Sequence, residues 1–148
     1  MPQTLSFNLV HVIFSTKHRA PLINPDIIAA LHGYLAATSR KLGCECFRVG
    51  GIADHVHLAI KLAPTKIPAK VISEIKTGSS QWMKQQGVRS FAWQRGYALF
   101  SVSPADLAAL IRYIDEQEAH HCTRDFKEEM RAFLEKYHVA FDDPYVWG

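Results

Sequence analysis

Asp54-His55-Val56-His57-Leu58 sets two imidazoles one residue apart, and the period of two along a strand puts both on one face, with Val56 and Leu58 on the other. Such a pair makes two convergent metal ligands. Neutral imidazole is the commonest metal-binding side chain, and a rigid strand leaves little freedom to lose on chelation. The spacing also suits two ordinary histidines on the polar face of a half-buried strand. Cys44 and Cys46 share a strand face too, which brings a structural zinc site into view. The hairpin register separates the two metal readings. A tight turn at Gly50-Gly51 sets Cys46 opposite His55 and Cys44 opposite His57, whereas a turn at Ala53-Asp54 sets Gly50 opposite His57 and leaves open space above the ring.

A second polar group sits on a helix. Leu107, Leu110, Ile111 and Ile114 form the apolar stripe of a segment predicted to be helical over 103–120, and Tyr113 and Gln117 lie to one side of it by roughly 70 to 110° at 100° per residue. They are i, i+4 neighbours, so phenol and amide project together at the border of the buried face, with Asp106 and His120 continuing the row. A phenol is a poor nucleophile at neutral pH. Attack on a phosphodiester therefore needs a cation that neutralises the phosphate and lines it up. His55 and His57 can anchor that cation, and a carbonyl oxygen from Gln117 shifts the preference toward Mg2+ or Mn2+. Asp106 is better used in a capping box with Ser103, and His120 and His121 have the position of cations favoured at a helix C-terminus.

Elements on either side must hold these groups. The chain has 148 residues, 48% of them hydrophobic, enough to bury one core and too few for two ordinary domains, so 1–148 is read as a single domain. Residues 5–15 read as a buried strand. Asn24-Pro25-Asp26 opens a helix that Gly43 ends. CECFRVGGI and HVHLAIKL are two strand-like runs, and a helix follows with Val71, Ile75, Gly78 and Trp82 on one stripe, stopping near Gly87. Residues 96–102 make a fourth strand, and a last helix carries Phe126, Met130, Phe133 and Tyr137 before an aromatic tail, Tyr145-Val146-Trp147. The order β-α-β-β-α-β-α is that of an α+β, ferredoxin-like split βαβ arrangement: a four-stranded antiparallel sheet with helices on one face, plus the C-terminal helix.

Nearly the whole chain resembles the small single-tyrosine HUH transposases of bacterial insertion sequences, together with the REP-associated tyrosine transposases. The landmarks are HVIFSTKHRAPLI, ADHVHLAI, KTGSSQWMK, FAWQRGYALFSVS, IRYIDEQ and FKEEMRAFLEKYHVAFDDPYVW, in that order. The resemblance implies that His55 and His57 are metal ligands, Tyr113 the nucleophile and Gln117 a third, helix-borne ligand. It also implies the hairpin turn at Ala53-Asp54. Its members cleave single-stranded DNA beside a folded hairpin, leave a 5′-phosphotyrosine and a free 3′-hydroxyl, and typically act as homodimers with the tyrosine helix serving the partner's histidines. Ala53 stands where the family often has Pro. Glu116 stands where related replication initiators often carry Lys three residues after the tyrosine, which favours a transposase.

A net charge of +3 permits an anionic partner without announcing one. Lys17 and Arg19 after the first strand, and Lys76, Ser79 and Lys84 on the second helix, are the candidate DNA contacts; Trp82 fits the core better than a stacking platform. Three cysteines, Cys44, Cys46 and Cys122, are expected to be reduced. With no run of about 20 apolar residues and no basic, apolar leader, a cytoplasmic location and no membrane contact are expected. Two other readings use the same residues: a domesticated relative that processes chromosomal repeats, and a non-catalytic nucleic-acid-binding module, since this fold hosts many functions.

Overall fold

A computed structural model of the chain describes residues 3–121 and 124–141. Four strands, β1 (Asn8–Ser15), β2 (Glu45–Ile52), β3 (His55–Leu62) and β4 (Ala98–Ser101), form one antiparallel sheet in the order β2-β3-β1-β4. Helices α1 (Pro25–Lys41) and α2 (Pro68–Gln85) provide the crossovers of the expected split βαβ arrangement. β1 begins at Asn8, three residues later than expected, because its partner β3 ends at Leu62 opposite Asn8 and leaves Leu5 and Phe7 exposed.

The alternation of β1 and β3 divides the molecule into two layers. Val10, Val12, Phe14, Val56, Leu58 and Ile60 face α1 and α2, where they meet Leu31, Leu35, Val71, Ile72 and Ile75. Gly78 leaves room for Tyr34, whose ring stacks on Trp82 at 5.2 Å, so Trp82 packs against the core as expected. The other face bears His11, Ile13, His55, His57 and Ala59. It is covered by a second layer of helices: α3 (Leu107–Asp115), the short α4 (Gln117–His121) and α5 (Phe126–Lys136). The aromatic tail and Cys122 lie outside the described residues.

The segment expected as one helix over 103–120 is broken twice. Pro104–Asp106 forms a 3-10 turn whose Ser103 hydroxyl accepts from the Ala105 amide (3.3 Å), not from Asp106 as a capping box requires. At Glu116 the backbone leaves helical geometry (φ −98°, ψ 21°), and the Gln117 side-chain amide donates to the Tyr113 carbonyl across the break (3.3 Å).

β2 and β3 turn at Ala53-Asp54, so Gly50 faces His57 and Ile52 faces His55. Thr16 N donates to Asp54 O (2.9 Å) and Ile23 N to Ala53 O (3.0 Å), which pins the turn to the end of β1 and the loop after it. A bulge between Cys46 and Arg48 shifts the far end of the hairpin, and Cys46 faces Ile60. The thiols therefore do not oppose the histidines, and the zinc geometry is absent.

The missing side chain at Gly50 lets α3 seat directly on β2. A Cβ there would lie 2.6 Å from both Ile114 Cγ2 and Ile114 O. Gly50→Ala is expected to cost about 1–3 kcal/mol through overpacking, read as a lowered urea midpoint at unchanged m-value. A variant as stable as the parent would mean that α3 is not held at this contact.

Candidate functional site

His55 and His57 stand side by side on β3, both fully buried, with ring centroids 5.1 Å apart. Each has its Nδ1 engaged. The Asp54 carboxylate accepts from His55 Nδ1 at 2.7 Å, and His57 Nδ1 pairs with Nε2 of His11, on the neighbouring strand β1, at 2.7 Å. Both Nε2 atoms then point away from the sheet, beneath α4 and α5. Partners of this kind fix the ring orientation and tautomer of metal-binding histidines.

Gln117 opens α4 and is almost fully buried, with its Oε1 3.1 Å from His55 Nε2. Its amide nitrogen is spent on the Tyr113 carbonyl, so the oxygen must face inward. Asp54 accepts the hydrogen bond of His55 Nδ1–H, so in the neutral ring Nε2 carries a lone pair. Two acceptors facing each other at 3.1 Å repel unless a proton or a cation lies between them. That arrangement suits a divalent ion held by His55, His57 and Gln117.

Tyr113, on α3, is half-buried. Its ring lies 5.8 Å from that of His57 and stacks on His120 at 4.6 Å. The hydroxyl donates to Glu129 Oε2. A cleft of about 410 Å³, lined by His11, Asp106, Leu110, Tyr113, Phe133 and Lys136 among others, reaches the phenol from the side. The resemblance implied a tyrosine serving a partner's histidines; in this chain it stands beside its own.

Sequence reasoning missed Glu129, on α5. It is the acid of the site, 1% exposed, with Oε1 3.1 Å from His57 Nε2 and 3.6 Å from His55 Nε2. His121, read from sequence as an ordinary helix-end cation, also belongs here, with Nε2 3.1 Å from Gln117 Oε1 and 3.4 Å from Glu129 Oε2. His55, His121 and Glu129 offer ligand atoms that all lie within 4.8 Å of one another. A signal was present for Glu129: three residues after Phe126 and four before Phe133, it is a charge within a buried helical stripe.

The protonation states follow from this crowding. Burial, outweighing attraction by Glu129, lowers His57 to about 4, and His11 is likewise pushed well below its ordinary value by burial and by His57. Burial alone would raise Glu129, but hydrogen bonds from His121 and His57 hold it well below the usual carboxylate range. Burial, reinforced by the bond to Glu129, raises the Tyr113 phenol above its ordinary value. His121 is raised because Glu129 outweighs its burial. At neutral pH the site thus holds a neutral His57, an ionised Glu129 and a protonated phenol.

Two of the proposed DNA contacts need correction. Ser79 is fully buried. Its hydroxyl donates to the Ile75 carbonyl (2.7 Å) and accepts from Trp93 Nε1 (3.0 Å), because Ser79 follows Ile75 by one turn on the buried side of α2. Lys76 is half-buried and donates to the carbonyls of Gln94 (2.6 Å), Arg95 (3.2 Å) and Gly96 (3.0 Å), so it ties down that loop; burial lowers its ammonium to about 8. Lys17 is exposed and Arg19 half-buried on the turn after β1. Lys84 is exposed on a groove of about 500 Å³ between α2 and residues 92–97, which Arg95 and Tyr97 also line. Trp93 is core, edge-on to Phe14 and Phe91. Cys44 and Cys46 are buried free thiols, and no helix among the described residues is long and apolar enough to cross a membrane.

Comparison with known proteins agrees with this layout. The family described as "Transposase IS200 like" matches residues 6–117. The ISDra2 transposase TnpA of Deinococcus radiodurans is 23% identical over 114 residues, which make up 72% of this chain and 81% of the relative. Two solved structures share the fold. A candidate transposase from Deinococcus radiodurans has a TM-score of 0.61 at 22% identity, covering 79% of this chain and 96% of that one. A REP-associated tyrosine transposase bound to a REP hairpin also has a TM-score of 0.61, at 13% identity, covering 82% of this chain and 74% of that one.

The depressed His57 has a consequence for stability. An unfolded His57 titrates near 6.5 and the folded one near 4, so its contribution is complete above about pH 6.5 and is lost as pH falls toward 4. His11 acts in the same direction and His121 in the opposite one. The metal-free chain is expected to show a lower urea midpoint at pH 5 than at pH 7, with a smaller drop in His57→Gln. Equal drops in parent and variant would refute the assignment to His57.

Proposed function

Because this chain belongs to the IS200-like transposase family, we propose that it cleaves and rejoins single-stranded DNA at hairpin-marked ends, with Tyr113 as nucleophile and a divalent ion, Mg2+ or Mn2+, held by His55, His57 and Gln117. The observation that carries this reading is the convergence of the His55 Nε2 lone pair, Gln117 Oε1 and the Tyr113 hydroxyl in one buried site beneath α4 and α5. A bound ion would neutralise the scissile phosphate and polarise it. Tyr113 forms the new P–O bond while the bond to the 3′ oxygen breaks; the 3′ oxygen leaves as a hydroxyl, and the 5′ phosphate stays on the phenol. Energy conserved in that ester permits rejoining to another 3′-hydroxyl.

Substrate approaches along the cleft that reaches Tyr113, where the exposed Lys136 offers a cation to the phosphate. Lys17, Arg19 and Lys84 supply backbone contacts farther out. A hairpin as the cognate DNA is supported by the fold neighbour bound to a REP hairpin. The arrangement argues against a module that only binds nucleic acid, which has no use for a tyrosine facing two histidines. We place the chain in the cytoplasm.

End-labelled hairpin oligonucleotides incubated with the chain and Mn2+ are expected to yield a denaturant-resistant protein–DNA adduct. Tyr113→Phe should abolish it, and His57→Ala should cut its formation by about a thousandfold or more. Adducts that survive Tyr113→Phe would refute the mechanism.

A second arrangement, in which the tyrosine helix serves the partner of a homodimer, would use the break at Glu116 as the hinge that lets α3 move apart from α4. Mixing Tyr113→Phe with His57→Ala chains distinguishes the two. Assembly within one chain predicts no recovered cleavage, whereas recovery to a substantial fraction of parental activity would establish the exchanged form.

A further inference from the structure

The family match ends at residue 117, and α5, which carries Glu129, lies beyond it. We propose that Glu129 is the carboxylate ligand of the metal: Oε1 binds the ion beside His55, His57 and Gln117, while Oε2 holds the Tyr113 hydroxyl. This rests on the metal-dependent reading given above. One side chain then supplies the only negative charge among the four ligands and sets the nucleophile's position relative to the ion.

Three observations support it. First, the spacing fits. Oε1 lies 3.1 Å from His57 Nε2 and 3.6 Å from His55 Nε2, and Gln117 Oε1 lies 3.1 Å from His55 Nε2. Ligands at adjacent corners of an octahedral Mg2+ or Mn2+ site, each about 2.1 Å from the ion, stand about 3.0 Å apart. Second, the carboxylate is 1% exposed and belongs to a set, His55, His121 and Glu129, whose ligand atoms lie within 4.8 Å of one another, a spacing able to hold an ion. Third, its two oxygens are divided between tasks: Oε1 faces the two β3 histidines, and Oε2 faces the phenol and His121. His121 Nε2, 3.1 Å from Gln117 Oε1 and 3.4 Å from Glu129 Oε2, holds the two side chains and is a positioning residue.

The donor set gains a hard anionic oxygen. Two imidazoles and an amide make a neutral site with a weak hold on hard cations; a carboxylate raises its affinity for Mn2+ and Mg2+.

The test is Mn2+ titration of the full chain, followed by electron paramagnetic resonance of free Mn2+ and by calorimetry, with circular dichroism as a check on folding. Glu129→Gln keeps the size and both polar atoms and is expected to weaken Mn2+ binding on the order of tenfold or more, in the range found when metal-site partners are removed. Should that variant fail to fold, Glu129→Asp undergoes the same titration with the same expected direction. Affinity equal to or above the parent's in a folded variant overturns the proposal, since the carboxylate would then only cover the site. Run beside the adduct assay, the titration separates the two claims. Adduct formation without any loss of affinity in Glu129→Gln overturns this inference and leaves the transposase reading standing. Loss of affinity with no adduct from the parent does the reverse. A parent that does not bind Mn2+ overturns both.

Discussion

The antiparallel pairing of β1 with β3 is the constraint on which the other contacts rest. It fixes Ile13 opposite His57 and Ser15 opposite His55, so the residues of one strand face enter the α1/α2 core, while the other face sets three imidazoles among the apolar contacts of α3 and α5. A slip of one residue would turn both imidazoles into the apolar layer and bring Val56 and Leu58 out under α3. Thr16 and Ile23 guard against that slip by holding the carbonyls of the Ala53-Asp54 turn. The β2 register follows from the same turn, and with it the bare backbone of Gly50 on which α3 rests.

On that foundation the site is built from several elements: β3 gives two rings, β1 a third, and the two sides of a helix break give Tyr113 and Gln117. Burial is what makes the assembly electrostatically tense. Desolvation keeps His57 neutral and the phenol protonated, while the same closeness keeps Glu129 ionised. The enclosed carboxylate is held by the Tyr113 hydroxyl, His57 and His121, and it stands within reach of the free ring nitrogen of His55.

Much of this was legible in the sequence where periodicity and chemistry coincide. The His-x-His spacing defines a face by itself, and the choice of turn could be posed as a question of which residue opposes His57. Tyr113 and Gln117 were legible as a pair at a helical border; the structure keeps Tyr113 there but buries Gln117, because the helix is interrupted at Glu116. His11 was not legible, because its importance depends on strand pairing and not on its neighbours in the chain. Glu129 belonged to a helix read for its apolar stripe alone, which hid the acid inside that stripe. Ser79 erred in the opposite direction: a polar residue was taken for surface although its spacing from Ile75 placed it in the core. Lys76 looked like a free cation because loop carbonyls leave no trace in a sequence.

The pairing of His11 with His57 would tie cation binding at His57 Nε2 to a strand that carries none of the proposed ligands. When His57 Nε2 donates to Glu129, its Nδ1 must accept, and His11 Nε2 carries the proton between the rings. Once Nε2 is given to a cation, His57 keeps its hydrogen on Nδ1, and His11 must relocate its own to the far nitrogen. The two imidazoles thus exchange roles as donor and acceptor, and His11 also lines the cleft beside Tyr113. Transplanting this histidine cluster into another sheet would therefore mean moving a three-ring circuit that spans two strands, since a graft of β3 alone would leave His57 without the neighbour that tells it which nitrogen to present.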